Sequence, residues 1–492
     1  MKSYINNKAV FIFILPVFFV FHGFVEHYNF IPLKDVFLLM LLYLGITLIV
    51  AGISWLFYHN LIKTAFISFY VMFFSFFFGS IQDFFRKYFE NSFFSRYSFI
   101  LSLAFLLFIA LAIWLKKRKT SLQNFTLYLN ILLLLLITID FFWLGAKIIR
   151  KESSLAPATA GMAVCDTCKK PDIFFIILDE YAGNTELKNL FGFDNSEFEN
   201  QLKLRGFYIA NESRSNYNFT PFSVASILNM DYLALRMKEK APGNIDYCYQ
   251  EIKNSRVVNF LTANGYEFYN YSIFDFEGRP AINYDSFLPN STSLITSQTF
   301  FSRVMKDIRF NIGTGKWKFK AALKRITYKH LHNNENILRV TNTIASKTTA
   351  KPKFVYAHLM MPHYPYYFNS KGEALPIEKL FEGQETNKEN YIEYLQYSNR
   401  QILRFIDQII AGSEEPPVIM LLGDHGFRHI TKKEERKYAF MNLNAIYLPG
   451  KNYSQFYDSM SNVNHFRIFF NTAFQQRLPL LKDSTIFLWD NQ

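Results

Sequence analysis

The pattern of hydrophobic and polar positions divides the chain into two parts. Charged residues are almost confined to the gaps between five apolar stretches, at residues 9–24, 36–58, 65–84, 99–115 and 127–146. Most of these stretches approach the roughly 20 residues that cross a bilayer as a helix. Lys2 and Lys8 precede the first stretch, as in a signal peptide, but no small-residue cleavage site follows it. The pattern therefore predicts five retained transmembrane helices in residues 1–150.

A small, polar linker at residues 151–170 leads into a region where predicted strands and helices alternate. Continuous apolar runs predict strands at 172–178, 353–360 and 418–422, and a last short strand is predicted at 484–488. A long amphipathic helix is predicted at 391–412. Such alternation is typical of a mostly parallel sheet covered by helices. The sequence thus predicts a multi-pass α-helical membrane domain followed by an α/β domain over residues 171–492.

The charge distribution gives an orientation and excludes one class of partner. The basic run "KKRK" at residues 116–119 favours a cytoplasmic fourth loop, which places everything after residue 147 outside, although Arg86, Lys87 and Arg96 then also lie outside. The net charge of +13 comes mainly from residues 1–170, with 16 Lys and Arg against 7 Asp and Glu, while the remainder holds 37 against 33. This juxtamembrane excess suits anionic lipid headgroups. Since no nucleic-acid motif accompanies it, no nucleic-acid partner is expected.

The three cysteines do not form a recognisable catalytic or metal motif. Cys165 and Cys168 form "CDTC" just before the first predicted strand, and Cys248 stands alone. One such pair is half a zinc site at best. Outside the cytoplasm, a local disulfide between Cys165 and Cys168 is the alternative.

Side chains with catalytic potential follow two predicted strands and begin a helix. Asp179 and Glu180 end the first strand, Asp424 and His425 end a later one, and a Thr-Pro pair starting at Thr220 precedes a helical pattern. Each feature alone is common in turns and caps. Open α/β sheets, however, bind ligands at the carboxyl ends of their strands, and an N-cap threonine would sit where a helix attracts anions. Two carboxylates, an imidazole and a hydroxyl can hold a divalent ion that activates the hydroxyl as a nucleophile.

These motifs also carry a resemblance to a known family. With "DNSEFENQLKLRGFY", "SNYNFTPFSVASILNMDYL" and "KPKFVYAHLMMPHYPYYFNSKG", the chain resembles the sulfatase-like branch of the alkaline phosphatase superfamily. It is similar to membrane-anchored lipoteichoic acid synthases and phosphoethanolamine transferases, and most similar to a subfamily of bacterial sulfatase-like membrane proteins. The resemblance implies one divalent ion, Zn²⁺ or Mn²⁺, held by Asp179, Thr220, Asp424 and His425.

Two points of that site stay open. The relatives carry a glutamate after the first strand, so Asp179, Glu180 or both are candidate ligands. The transferases have a further histidine downstream of the Asp-His-Gly motif, and neither His429 nor His465 matches its position, which leaves a second metal undecided. His363, in "MPHYPYYF", matches a histidine that assists group transfer in the relatives. The resemblance therefore implies Thr220 as nucleophile and His363 as its catalytic assistant.

The implied function is transfer of a phospho-substituent, phosphoglycerol- or phosphoethanolamine-like, from a membrane lipid donor to an envelope glycan or lipid acceptor through a phospho-threonine. The implied location is the bacterial cytoplasmic membrane, with the catalytic domain of a monomer on the extracytoplasmic side. One alternative is a phosphodiesterase or sulfatase that transfers the group to water. Sulfatases with a C/S-x-P-x-R motif are a poor match, because Phe222 and Val224 occupy the second and fourth positions after Thr220. The other alternative is a non-catalytic envelope assembly or sensor protein.

Overall fold

The structure is a computed structural model that describes residues 8–28, 31–89, 92–154, 161–235, 245–281, 292–313, 324, 327–380, 384–429 and 432–489. The chain forms two compact units. One comprises Met1–Leu155 with Ser286–Phe310, and the other comprises Ala156–Asp285 with Asn311–Gln492. The hydrophobic pattern assigns residues 286–310 to the α/β domain, whereas the structure places the described part of this segment in the helical unit.

Five apolar helices lie where the sequence predicts transmembrane segments. They are α1 (Phe11–Glu26), α2 (Leu33–Tyr58), α3 (Leu61–Tyr88), α4 (Tyr97–Lys117) and α5 (Gln123–Ser154). By length and composition, α2 to α5 can each cross a membrane, but α1 has only 16 residues. At 1.5 Å per residue it spans about 24 Å, less than the roughly 30 Å of a bilayer core. The described residues therefore contain four candidate spans, and membrane crossing by α1 stays a prediction.

The segment that joins the helical unit from the second half of the chain contains α11 (Ser293–Thr296) and α12 (Phe300–Gly313). The ring of Phe300 packs 5.0 Å from that of Phe78. The guanidinium of Arg303 donates to both carboxylate oxygens of Asp83, at 3.0 and 2.7 Å. The amide of Gly79 donates to the carbonyl of Gln298 at 2.7 Å, and a Cβ on Gly79 would lie only 2.8 Å from that oxygen. Specific packing and polar contacts therefore hold this segment against α3.

The α/β unit is built on a six-stranded sheet. Its strands are β1 (Ile173–Leu178), β2 (Tyr208–Ile209), β3 (Glu267–Tyr271), β4 (Lys353–Leu359), β5 (Val418–Gly423) and β6 (Asn444–Tyr447), in the order β2-β6-β5-β1-β4-β3. The neighbours from β5 to β3 are parallel, while β6 runs antiparallel to β5 and β2 antiparallel to β6. This confirms the predicted fold class, a mostly parallel sheet. Residues 484–488 are not a strand, because only Ile486 forms a bridge, with Tyr217.

Helices cover both faces of the sheet. They are α6 (Asn184–Phe191), α7 (Ser196–Leu204), α8 (Thr220–Asn229), α9 (Ile245–Lys253), α10 (Arg256–Ala263), α13 (Lys329–Ala345), α14 (Lys388–Gly412) and α15 (Asn462–Ala473). Alternate side chains of the wholly buried β1 enter two separate cores, Phe175 on the side of α8, α10 and α15, and Ile176 on the side of α13 and α14. A strand buried on both faces reads as a continuous apolar run, which is why its sequence predicted it.

The register of the central strands determines where the polar residues emerge. Leu178 of β1 lies opposite Leu359 of β4 and Gly423 of β5. The three strands therefore end level, and the residues that follow them meet at one edge of the sheet. Before β1, Cys165 and Cys168 form a disulfide, and Cys248 is a buried free thiol.

Candidate active site

Asp179, Asp424 and His425 come together at this edge, with one potential ligand atom from each lying within 4.8 Å of the others. All three are buried, and Asp179 is only 2% exposed. Asp424 Oδ1 accepts from the amides of Glu180 and His425, both at 2.9 Å. In contrast, Asp179 Oδ1 and Asp424 Oδ2 have no hydrogen-bond partner among the described residues. The cluster thus presents two buried carboxylate oxygens without hydrogen-bond partners beside an imidazole.

This arrangement fits a divalent metal ion. Buried polar atoms without partners are destabilising, and two neighbouring carboxylates add repulsion, so a cation between them would relieve both effects. His425 Nδ1 donates to the carbonyl of Gly426 at 2.7 Å, which leaves Nε2 as the free nitrogen. Asp179 Oδ1, Asp424 Oδ2 and His425 Nε2 are therefore the atoms that would hold the ion. Two oxygens and one nitrogen suit Zn²⁺ and also Mn²⁺.

The charges in the cluster shift the two carboxyl groups in opposite directions. Burial acts to raise the pKa of Asp179, but the nearby imidazoles of His363 and His358 outweigh it and lower that pKa. Burial raises the pKa of Asp424, and the negative charge of Asp179 raises it further. The two carboxyl groups therefore repel one another, and a cation bound between them would offset this repulsion.

Thr220 lies directly beside this cluster and is partly exposed. Its Oγ1 is 3.3 Å from His425 Nε2. The sequence predicted Thr220 as an N-cap, but Phe219 is the capping residue, Thr220 is the first residue of α8, and no side chain caps the helix. The reason is that the hydroxyl faces His425 instead of the helix amides. The amides of Phe222 and Ser223 both donate to the carbonyl of Phe219, so this helix start offers fewer free amides to an anion than expected.

Glu180, the other candidate ligand after β1, turns away from the three-residue cluster. Its φ of 58° lies in the left-handed region, which is uncommon for a residue with a side chain and is often found at functional sites. Its Oε1 accepts from the amide of Arg428 at 3.0 Å and lies 3.5 Å from His429 Nε2. Its Oε2 lies 4.0 Å from His363 Nε2. Of the acidic pair, the structure thus places Asp179 in the cluster and Glu180 between two histidines.

His363 lies in the loop after β4 and its side chain is 22% exposed. Its Nδ1 lies 2.6 Å from the carbonyl of Tyr364, so Nε2 is directed towards Glu180. Burial acts to lower the pKa of His363, but the carboxylates of Asp179 and Glu180 outweigh it and raise that pKa. A raised pKa favours the protonated imidazole, which can donate a proton, as the predicted role requires.

Two further residues near the site, His358 and Arg428, are not among the candidates that the sequence motifs single out. His358 lies within β4 and is fully buried, its Nε2 lies 3.2 Å from Asp179 Oδ2, and its Nδ1 accepts from Tyr356 at 2.9 Å. It therefore orients the carboxylate. The signal in the sequence was a histidine near the end of an otherwise apolar strand. The guanidinium of Arg428 stacks 4.7 Å from the ring of Phe219, beside Thr220.

His465 does not belong to the site. Its Nδ1 lies 3.0 Å from Asn444 Oδ1, and burial lowers its pKa to about 3. His429 lies next to Glu180, and its Nε2 has no hydrogen-bond partner among the described residues. The described residues contain one group of three metal-ligating side chains, the cluster of Asp179, Asp424 and His425.

Comparison with known proteins gives one family match. A family model described as Sulfatase matches residues 245–480, a range that includes His363, Asp424 and His425. No curated protein matches the chain.

Several solved structures are similar in part. The C-terminal periplasmic domain of EcEptC from Escherichia coli has a TM-score of 0.39 at 12% identity, covering 66% of this chain and 91% of that one. The C-terminal periplasmic domain of phosphoethanolamine transferase EptC from Campylobacter jejuni has a TM-score of 0.34 at 10% identity, covering 64% and 92%. BT1596, a 2-O GAG sulfatase, has a TM-score of 0.37 at 11% identity, covering 64% and 73%.

Proposed function

We propose that the chain is a sulfatase-like enzyme, as the family match over residues 245–480 supports, and that it transfers a phospho-substituent through a covalent phospho-Thr220 intermediate. The donor is a membrane lipid, and the acceptor is an envelope glycan or lipid. The observation that carries the proposal is the position of Thr220 Oγ1, 3.3 Å from His425 Nε2 and beside the two unpaired carboxylate oxygens. A divalent ion bound there would lower the pKa of the hydroxyl.

Each residue of the site has a separate role in the proposed reaction. Thr220 gives up its hydroxyl proton to solvent and its Oγ1 attacks the phosphorus. The bond from phosphorus to the lipid oxygen breaks, and the leaving oxygen takes a proton from His363. In the second step an acceptor hydroxyl attacks the phosphorus and gives up its proton to His363, while the bond from phosphorus to Thr220 Oγ1 breaks. Oγ1 takes up a proton from solvent, which regenerates Thr220. Glu180, whose Oε2 lies 4.0 Å from His363 Nε2, helps to raise the pKa of the imidazole and so favours its protonated form. Arg428, stacked on Phe219, supplies a positive charge near the transferred group.

We place this chemistry on the extracytoplasmic side of a five-span membrane protein. Support comes from the Cys165–Cys168 disulfide, because disulfides persist in oxidising compartments. The basic run at residues 116–119 also favours a cytoplasmic fourth loop. This topology requires the short helix α1 to cross the membrane together with α2 to α5.

A mass measurement tests the intermediate. Full-length protein is incubated with a lipid extract but no acceptor, and the peptide covering residues 216–230 is analysed. We expect a covalent adduct on Thr220 whose mass identifies the transferred group. Thr220→Ala should carry no adduct and lose turnover, while Thr220→Ser, which keeps a hydroxyl, should form the adduct more slowly. Substantial turnover by Thr220→Ala would mean that water is the attacking group and that the enzyme is a hydrolase.

A further inference from the structure

A groove of about 490 Å³ on the surface of the α/β unit is separate from the metal cluster. Three cations, Lys433, Arg436 and Lys437, line it together with the aromatic side chains of Phe440, Phe487 and Trp489. No acidic side chain is among its lining residues in the part of the chain that the structure describes. Within that same part, none of the three cations forms an ion pair. The groove is therefore a concentrated positive site with an aromatic wall.

Arg436 is held in place by the aromatic wall. Its guanidinium lies 4.1 Å from the ring centre of Trp489 and 5.2 Å from that of Phe487. Stacking occupies the flat face of a guanidinium but leaves the N–H groups along its edge free. Those N–H groups match the oxygen pairs of a carboxylate or a phosphate. The groove thus contains a preorganised anion receptor.

The groove is tied to the loop that carries Thr220. Ile486 donates its amide to the carbonyl of Asn216 at 2.8 Å. The side chain of Asn218 exchanges two hydrogen bonds with the backbone of Leu488, at 2.8 and 3.2 Å. The segment with Phe487 and Trp489 is therefore fixed to residues two and four positions before Thr220, chain distances of at most about 7 and 14 Å.

We propose that this groove binds an anionic sugar, one that bears a phosphate or a carboxylate, as the acceptor of the transferred group. The role of this sugar as the acceptor rests on the proposed function. Three cations select the negative charge. Trp489, 42% exposed, offers an aromatic surface against which the C–H face of a sugar ring can pack. An acyl chain would need a long apolar groove, but three of the six side chains named above as lining this groove are cationic.

Binding to full-length Thr220→Ala protein in detergent, which cannot turn over, tests the groove by calorimetry. The probes are glucosamine 6-phosphate, uncharged glucosamine, inorganic phosphate and glycerol 3-phosphate, which represents a phospholipid head. We expect glucosamine 6-phosphate to bind most tightly. Adding Arg436→Gln should weaken it by about 10- to 100-fold, the effect of losing a charge-assisted hydrogen bond. The control Lys432→Gln, whose lysine pairs with Glu435 at 3.2 Å outside the groove, should leave binding unchanged.

Three results would overturn the assignment: inorganic phosphate binding as tightly as the sugar phosphate, glycerol 3-phosphate doing so, or Arg436→Gln binding normally. The first would mean a simple ion site and the second a lipid headgroup site. A second measurement separates this inference from the proposed function. With Thr220 intact, Arg436→Gln should still form the adduct from the lipid donor but discharge it more slowly to the sugar. Absence of the adduct in every variant would reject the transfer mechanism while the binding result stood.

Discussion

Replacing Asp424 with asparagine should have opposite effects on stability with and without metal. In the metal-free protein, Asp424 Oδ2 and Asp179 Oδ1 are both buried and unpaired, and the cluster's ligand atoms lie within 4.8 Å of one another. Two unit charges at that distance repel by about 3 kcal/mol at an effective dielectric constant of about 20. Burial and the negative charge of Asp179 both raise the pKa of Asp424, as expected for two carboxylates held this close. An amide at position 424 removes the charge and can donate to Asp179, while its oxygen still accepts from the amides of Glu180 and His425.

We therefore expect Asp424→Asn to stabilise the chelator-treated protein by about 1–3 kcal/mol, the range for satisfying a buried polar group. For a domain of this size that corresponds to a rise in Tm of roughly 2–10 °C. Bound metal should instead stabilise the wild type more than the variant. At a metal concentration about 100 times Kd, the wild type should gain roughly 2.7 kcal/mol, whereas the variant should gain little because it lacks one ligand.

The measurement is thermal unfolding of the full-length protein in detergent, followed by intrinsic fluorescence, with chelator and with Zn²⁺ or Mn²⁺. Glu186→Gln is the matched control. Glu186 is also fully buried with an unpaired oxygen, and burial raises its pKa, but it lies outside the three-residue cluster. It should show the wild-type metal shift. If Asp424→Asn is less stable than the wild type in chelator, or if metal shifts both proteins equally, the cluster does not bind metal as we propose.

His363→Ala should lower turnover by about 10²–10⁴-fold, the usual contribution of general acid–base catalysis, with unchanged metal content by elemental analysis; unchanged turnover would exclude His363 from proton transfer. Gly426→Ala should destabilise the α/β unit by about 1–3 kcal/mol or more in thermal unfolding, because the added methyl would lie 2.5 Å from the carbonyl oxygens of Met441 and Tyr438 and against Glu186; a wild-type Tm would contradict the packing of this loop. A reporter enzyme that folds only outside the cytoplasm should be active when fused to the C-terminus, and activity of a cytoplasmic reporter alone would reverse the topology.

The sequence predicted the parts of this molecule that depend on local pattern. β1 and β5 are continuous apolar runs because both of their faces are buried. An aspartate directly follows each strand, and because the two strands end level, these aspartates meet at one edge of the sheet. Glu180 could not be assigned in this way. Asp179 and Glu180 are chemically similar neighbours, and only the left-handed backbone at Glu180 separates their directions.

Long-range packing accounts for the other differences. Residues 484–488 have an apolar pattern that predicts a strand, but their partner is a loop rather than a sheet, with one bridge between Ile486 and Tyr217. α12 has the amphipathic pattern of any helix that packs on a larger body, and this pattern does not specify whether that body is the sheet or the membrane helices. The metal, donor and acceptor stay predictions, since they depend on partners outside the chain.

The docking of α11 and α12 in the helical unit has a practical consequence for truncated chains. A fragment that begins at residue 171 contains the whole sheet, yet it also contains Phe300 and Arg303 without Phe78 and Asp83, their partners in α3. Such a fragment would carry an orphaned amphipathic helix, a typical cause of aggregation during expression. Soluble preparations of the catalytic domain should therefore have residues 286–310 excised and bridged by a short flexible linker, so that the boundary follows the packing of the chain rather than its order.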